Sequence, residues 1–118
     1  MQAPPLPEMP MKDDVVCARV RLQPGSLPRV RAWAAHLHAH RADALRTLDA
    51  EGVSVESVFL ETGADGDSLV YYMRATDIKA AFAVAARSEA AIEQYHREFK
   101  RTTWLEVNRL ELLVDLSS

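Results

Sequence analysis

Apolar and polar positions change period repeatedly along the chain. Val15 to Leu22 alternates, with Val16, Ala18, Val20 and Leu22 on one face and Val15, Cys17, Arg19 and Arg21 on the other, which predicts a strand. Pro24 and Gly25 turn the chain. Leu27, Val30, Ala34, Leu37, Leu45 and Leu48 then fall on a helical stripe, so one helix is predicted from its cap, Ser26, to Glu51, closed by Gly52. Val53 to Glu61 and Ser68 to Ala75 alternate again. Gly63 and the Asp65-Gly66 pair supply the left-handed conformations that a reversal between these strands needs, predicting a hairpin. Thr76 or Asp77 opens a second helical region with Ile78, Ala81, Phe82 and Ala85 inward. Ser88 marks a break and a fresh cap, and the helix continues through Ile92, Tyr95 and Phe99. Arg109 to Leu116 reads as the last strand, with Leu110, Leu112, Val114 and Leu116 toward the helices.

The order β-α-β-β-α-β specifies an α+β, ferredoxin-like sandwich, a four-stranded antiparallel sheet with helices on one face. Right-handed crossovers put both helical regions on the same side. The other face of the sheet carries Arg19, Arg21, Tyr72 and Arg74 among Val15, Cys17 and Val70, with Arg109, Glu111, Leu113 and Asp115 from the last strand. The second strand is open in phase: either Glu56, Val58 and Leu60 or Val55, Ser57, Phe59 and Glu61 look outward. A face this apolar and this charged suits neither plain solvation nor a dry core, and predicts an interface around a polar cavity.

Composition narrows the partners. The 118 residues, 48% of them apolar, fit one domain, here residues 14–118 behind a disordered tail at 1–13 that holds Pro4, Pro5, Pro7 and Pro10. A net charge of -3 with both signs interspersed offers no footprint for nucleic acid or an anionic membrane surface. No apolar run is long enough to span a bilayer, and the lone Cys17 has no internal partner, so a soluble protein of the reducing cytoplasm is expected.

Glu56 to Glu61 (ESVFLE), Asp65-Gly66, Leu69 to Met73 (LVYYM), Tyr95 to Phe99 (YHREF), Trp104 and Leu110 to Leu116 (LELLVDL) together carry a resemblance. The chain is similar, over nearly all of residues 15–116, to a small bacterial family of unknown function within the dimeric α/β-barrel superfamily. The resemblance implies a homodimer in which two sheets meet face to face with the helices outside, and a ligand cavity within. Relatives in that superfamily include cofactor-free monooxygenases, haem-degrading enzymes, sugar mutarotases and stress-response proteins.

His96, beside Tyr95 on the helix leading to Trp104, is the candidate proton carrier, because an imidazole titrates near neutrality. Tyr72 and Arg74 share a strand face and offer a phenol and a guanidinium fork to an anionic or carbonyl ligand. The candidate catalytic pair is thus His96 and Tyr72, with Arg19, Arg21, Arg74 and Glu111 as ligand-binding residues; the opposing reading is a set of ion pairs across the dimer with Glu111 and Asp115. His36, His40 and Asp43 have ligand-like spacing on one helix flank but lack the glutamate of an HExxH element, so a solvated face is expected there, as for His38, and no metal. Glu93 and Arg97 are spaced for a surface ion pair, and Trp33 and Trp104 for core or interface anchoring.

No phosphate-binding glycine loop, nucleophile elbow, cysteine pair or acidic cation cluster is present in the sequence, and no cofactor is implied by a motif. Three classes remain: a small-molecule binder or isomerase-like proton-transfer enzyme, a cofactor-free or haem-dependent monooxygenase, and a non-catalytic dimeric interaction module.

Overall fold

A computed structural model describes residues 13–118. The tail expected at 1–13 lies, apart from Asp13, outside the described residues. The elements are β1 (Asp14–Leu22), α1 (Leu27–Ala39), α2 (Arg41–Glu51), β2 (Val53–Glu61), β3 (Ser68–Ala75), α3 (Ile78–Arg87), α4 (Ala91–Thr103) and β4 (Trp104–Arg109). All strand pairs are antiparallel in the order β2-β3-β1-β4. This is the ferredoxin-like α+β arrangement that the hydrophobic periods predict.

The first helical region is two helices, not one. His40 leaves helical geometry at φ -113, ψ 35, and its Nδ1 lies 2.9 Å from the His36 carbonyl that its own backbone N–H also engages. A side chain sharing a backbone acceptor bends the helix at that point. Ser26 stands at the N-cap position but its hydroxyl caps nothing, whereas Asp77 accepts from the Ala80 N–H at 3.1 Å and opens α3. Asp14 also accepts from the Ile78 N–H, at 2.9 Å, tying that helix start to β1. The break expected at Ser88 is present between α3 and α4, but Ser88 is the C-cap of α3 and not the cap of α4, whose N-cap is Ala90.

A bulge settles the phase of β2. Val53 pairs with Ala75 and Val55 with Arg74, so Ser54 is the extra residue, and the two valines point to opposite faces. Val53 is 5% exposed and Val55 41%. Beyond the bulge Glu56, Val58 and Leu60 pair with Met73, Tyr71 and Leu69 on the helix side, leaving Val55, Ser57, Phe59 and Glu61 on the open side. At the hairpin Gly66 has φ 128, while Gly63 keeps an ordinary φ and accepts the Gly66 N–H. The positive φ requires glycine at 66; a Cβ there would lie 2.9 Å from the Arg21 guanidinium, a flexible side-chain end that could shift.

The last strand begins earlier than its alternation suggests. The Thr103 hydroxyl turns back to the Phe99 carbonyl at 2.6 Å, and the Thr103 carbonyl accepts the Gln23 N–H at 2.7 Å. The chain therefore enters the sheet at once, with Trp104 opposite Leu22 and Arg109 opposite Ala18. The alternating leucines come too late to pair. Arg109 lies opposite the helix-side Ala18, so Leu110, whose N–H donates to the Cys17 carbonyl at 2.8 Å, falls on the open face, and Leu112, Leu113, Val114 and Leu116 are exposed rather than turned to the helices.

Two apolar clusters hold the layers together. Val20, Leu22, Val30, Trp33, Leu69, Tyr71 and Phe99 form the larger, and Val53, Ala75, Ile78 and Ala81 the smaller. Trp33 lies parallel to Phe99 with ring centroids 4.6 Å apart, fixing α1 against α4.

Candidate functional site

Helix α4 presents Ile92, Glu93, His96 and Phe99 on one stripe, because positions three and four apart share a face. That stripe packs behind the sheet, so a carboxylate and an imidazole are carried inside with the apolar residues. Trp33, 4% exposed on α1, stacks on the His96 ring at 5.7 Å and donates its Nε1–H to His96 Nδ1 at 3.0 Å. Burial, with Lys100 nearby, pushes the His96 imidazole down to about 3, so the ring is neutral at physiological pH. An indole N–H can only donate. Nδ1 is therefore the acceptor, and the single proton of the neutral ring sits on Nε2.

His96 and Trp33 form one wall of a cleft of about 490 Å³, bounded by α1, α2, β2 and α4. Glu56 and Val58 of β2, Leu37, Leu48 and Ile92 line it, and His38 and Arg41 stand among its polar residues. Burial raises the Glu56 carboxyl above its ordinary value, and the Glu93 charge adds to this while Lys100 opposes it. Glu51, at the end of α2, is pushed up to about 8 by burial and by a shared hydrogen bond with the Glu93 carboxyl. Tyr71 on β3 is likewise raised by burial, with the Glu56 charge adding. Its hydroxyl and the Trp104 Nε1–H are both buried without a hydrogen-bond partner. Lys100 Nζ lies 5.1 Å over the Trp104 ring. A neutral donor and a carboxyl lifted toward neutrality on the walls of one cleft are the equipment of proton transfer.

The sheet separates the residues that the sequence grouped. His96 is on the helix side, whereas Tyr72, Arg19, Arg21 and Arg74 are on the open side. The tyrosine on the side of His96 is Tyr71, one step along the strand. Arg19 pairs with Glu61 at 3.3 Å, and Arg21 donates to the Asp65 carbonyl. Arg74 binds Asp115 at 2.6 Å and lies 3.9 Å from Asp13; Asp115 first, then the neighbouring Tyr72 hydroxyl, holds its guanidinium above the usual value. Glu111 is exposed on the segment after β4. Cys17 is a half-buried free thiol on the open face.

Other expected groupings resolve differently. Arg97 does not pair with Glu93: it donates to the Ala85 and Ser88 carbonyls at 2.8 Å each, closing the end of α3 and leaving Glu93 to Glu51. His36 stacks between His40 and Tyr95 at 4.1 and 3.8 Å, and Asp43 pairs with Arg46. Among the described residues no three His, Cys, Asp or Glu side chains are grouped to hold a metal ion, and no helix is long and apolar enough to cross a membrane. Sequence reasoning missed Glu51, Glu56, Glu93 and the Trp33 to His96 hydrogen bond. The available signal was Glu93, three residues before His96 on the same stripe as Ile92 and Phe99.

The model of a family of unknown function, DUF6176, matches residues 13–118, and the chain belongs to that family. No curated protein matches it. Among solved structures, PA3566 from Pseudomonas aeruginosa aligns at a TM-score of 0.54 and 11% identity, covering 87% of this chain and 96% of that one. Rv0793 from Mycobacterium tuberculosis aligns at 0.49 and 22% identity, with coverage of 87% and 97%. The likeness to PA3566 is one of fold.

Proposed function

We propose that this member of a family of unknown function binds a small molecule in the cleft between its helices and β2, acts on it by isomerase-like proton transfer, and does so as a homodimer. The reading rests on one observation: a half-buried His96, kept neutral by its removal from water and fixed in one tautomer by Trp33, lines the same cleft as Glu56. Trp33 satisfies Nδ1, as removal from water requires of any ring nitrogen, while Nε2–H has no hydrogen-bond partner among the described residues and is available to a ligand.

Self-association is supported by the open side. Phe59 is 62% exposed and Val55 41%, and the leucines and valine of 110–116 extend the same apolar surface. A second copy is the occupant that this face suits, since it carries both Arg19, Arg21 and Arg74 and the acidic Glu61 and Asp115, as a self-complementary two-fold contact requires. The free Cys17 is compatible with a reducing cytoplasm.

Thermal shift against sugars, keto acids, quinones and haem tests the ligand reading. A selective rise in melting temperature is expected, and it should vanish in Leu45→Trp, which fills the cleft from an exposed position on its rim. Silence across the panel, or a rise that survives Leu45→Trp but is lost in Tyr72→Phe, would overturn the placement of the ligand.

A further inference from the structure

The tautomer of His96 restricts the chemistry of the cleft. With Nδ1 engaged by Trp33 and the proton on Nε2, His96 is a hydrogen-bond donor and has no free lone pair with which to act as a base. A proton acceptor must come from elsewhere on the lining, and Glu56 is the carboxyl that the cleft presents. Trp33, Leu37, Leu48, Val58 and Ile92 make much of the remaining wall apolar, with His38, Arg41, Thr47 and Ser54 as its other polar groups, and about 490 Å³ leaves room for one or two fused rings.

Resting on the cleft being the ligand site, we infer that it takes a ring-sized carbonyl compound with an acidic C–H beside the carbonyl, His96 Nε2–H donating to the carbonyl oxygen and the Glu56 carboxylate removing the proton. The C–H bond breaks and an O–H bond forms on Glu56. The C–H electron pair becomes the C=C bond of an enolate, and the carbonyl π pair moves onto the oxygen facing His96. Return of the proton from Glu56 to the same carbon, or to the far end of a conjugated system, regenerates the carboxylate and needs no oxidant. The groups around this pair are arranged to suit it. Removal from water and then the Glu93 charge from α4 oppose the charge of Glu56, and Lys100 tempers this, so that the carboxylate is a stronger base than a solvated one. Tyr71 from β3 supplies a buried hydroxyl whose proton the Glu56 charge helps to hold.

The pair 2-tetralone and 2-naphthol tests this, the second mimicking the enol of the first. In ¹⁵N spectra of the free protein, His96 should show a protonated Nε2 and an unprotonated Nδ1; the opposite tautomer would overturn the inference before any ligand is added. 2-Naphthol should shift the Trp33 indole and His96 Nε2–H signals. In D₂O, the protein should speed loss of the C1 protons of 2-tetralone, and Glu56→Gln should slow that exchange on the order of 10²-fold while still binding 2-naphthol. Glu56→Asp, with the carboxylate set back by one methylene, should fall between. Naphthol binding without ketone exchange would leave the cleft as a ligand site and remove the proton transfer. Exchange untouched by Glu56→Gln would remove Glu56 as the base, and absence of both binding and exchange would take the cleft reading with it.

Discussion

Charged side chains on the two sides of the sheet are treated in opposite ways. On the open side three arginines have partners near water: Arg19 has Glu61, Arg21 the Asp65 carbonyl and Arg74 Asp115. On the helix side Glu51, Glu56 and Glu93 crowd one another around a neutral His96, and burial drives the Glu51, Glu56 and His96 shifts. Ion pairing near solvent suits an interface. Crowding away from solvent changes what a group can do, which suits chemistry.

Removing the indole that organises the helix side should have the largest effect. Trp33→Ala should destabilise the fold by about 3–5 kcal/mol, the usual cost of truncating a buried tryptophan. Trp33→Phe should keep most of the packing against Phe99 but free His96 Nδ1, mixing the two tautomers. Denaturant unfolding checks the first, and imidazole ¹⁵N shifts check the second.

The pH dependence of stability should come second, and its two limbs have opposite signs. The folded His96 is depressed to about 3 from an ordinary 6.5, so its contribution is complete above 6.5 and is lost as pH falls from there toward 3. Glu51 is raised to about 8 from 4.5, so stability falls as pH climbs through that interval, as it does for the raised Glu56. Because Glu51 is half open to solvent its limb should be shallow, about 1–2 kcal/mol after screening. Denaturation across pH 3–9 should therefore peak on the weakly acid side. His96→Gln should flatten the acid limb and Glu51→Gln the alkaline one; an unchanged profile in either variant would contradict the assignment.

On the open side the expected change is in association, not folding. Phe59→Asp should leave the stability of the folded chain within ~0.5 kcal/mol, because the ring is exposed, yet weaken self-association at least tenfold if a second copy covers it. Sedimentation over a range of concentrations measures this, and an identical dimer in the variant would move the interface off this face.

Much of the fold was legible because its signal is local. β3 and the break at Ser88 follow from the hydrophobic period, although the N-cap of α4 is Ala90 and not Ser88, and the hairpin required Gly66. The misreadings share a cause in the third dimension. The bulge at Ser54 shifts the phase of β2 by one residue, and nothing in an alternating run marks which residue is extra. β4 starts at Trp104 because Thr103 is already held against Gln23, a contact between residues far apart in the chain. The leucines of 110–116 carry a strand-like alternation on a segment that extends past the sheet. His96 was legible as a chemical candidate from its residue type. Tyr72 and the arginines were grouped with it because sequence proximity cannot show that a sheet stands between them.

The sequence by itself determined the order of elements, the layer in which each helix lies and the existence of a face left uncovered, since these depend on periodicity and the handedness of crossovers. Only the tertiary structure decided which carboxylates go inside, which nitrogen of His96 holds its proton and on which side of the sheet the cleft opens. Those properties arise from groups brought together across α1, α2, β2 and α4, where distance in space and removal from water, not position in the chain, set the energy of a charge.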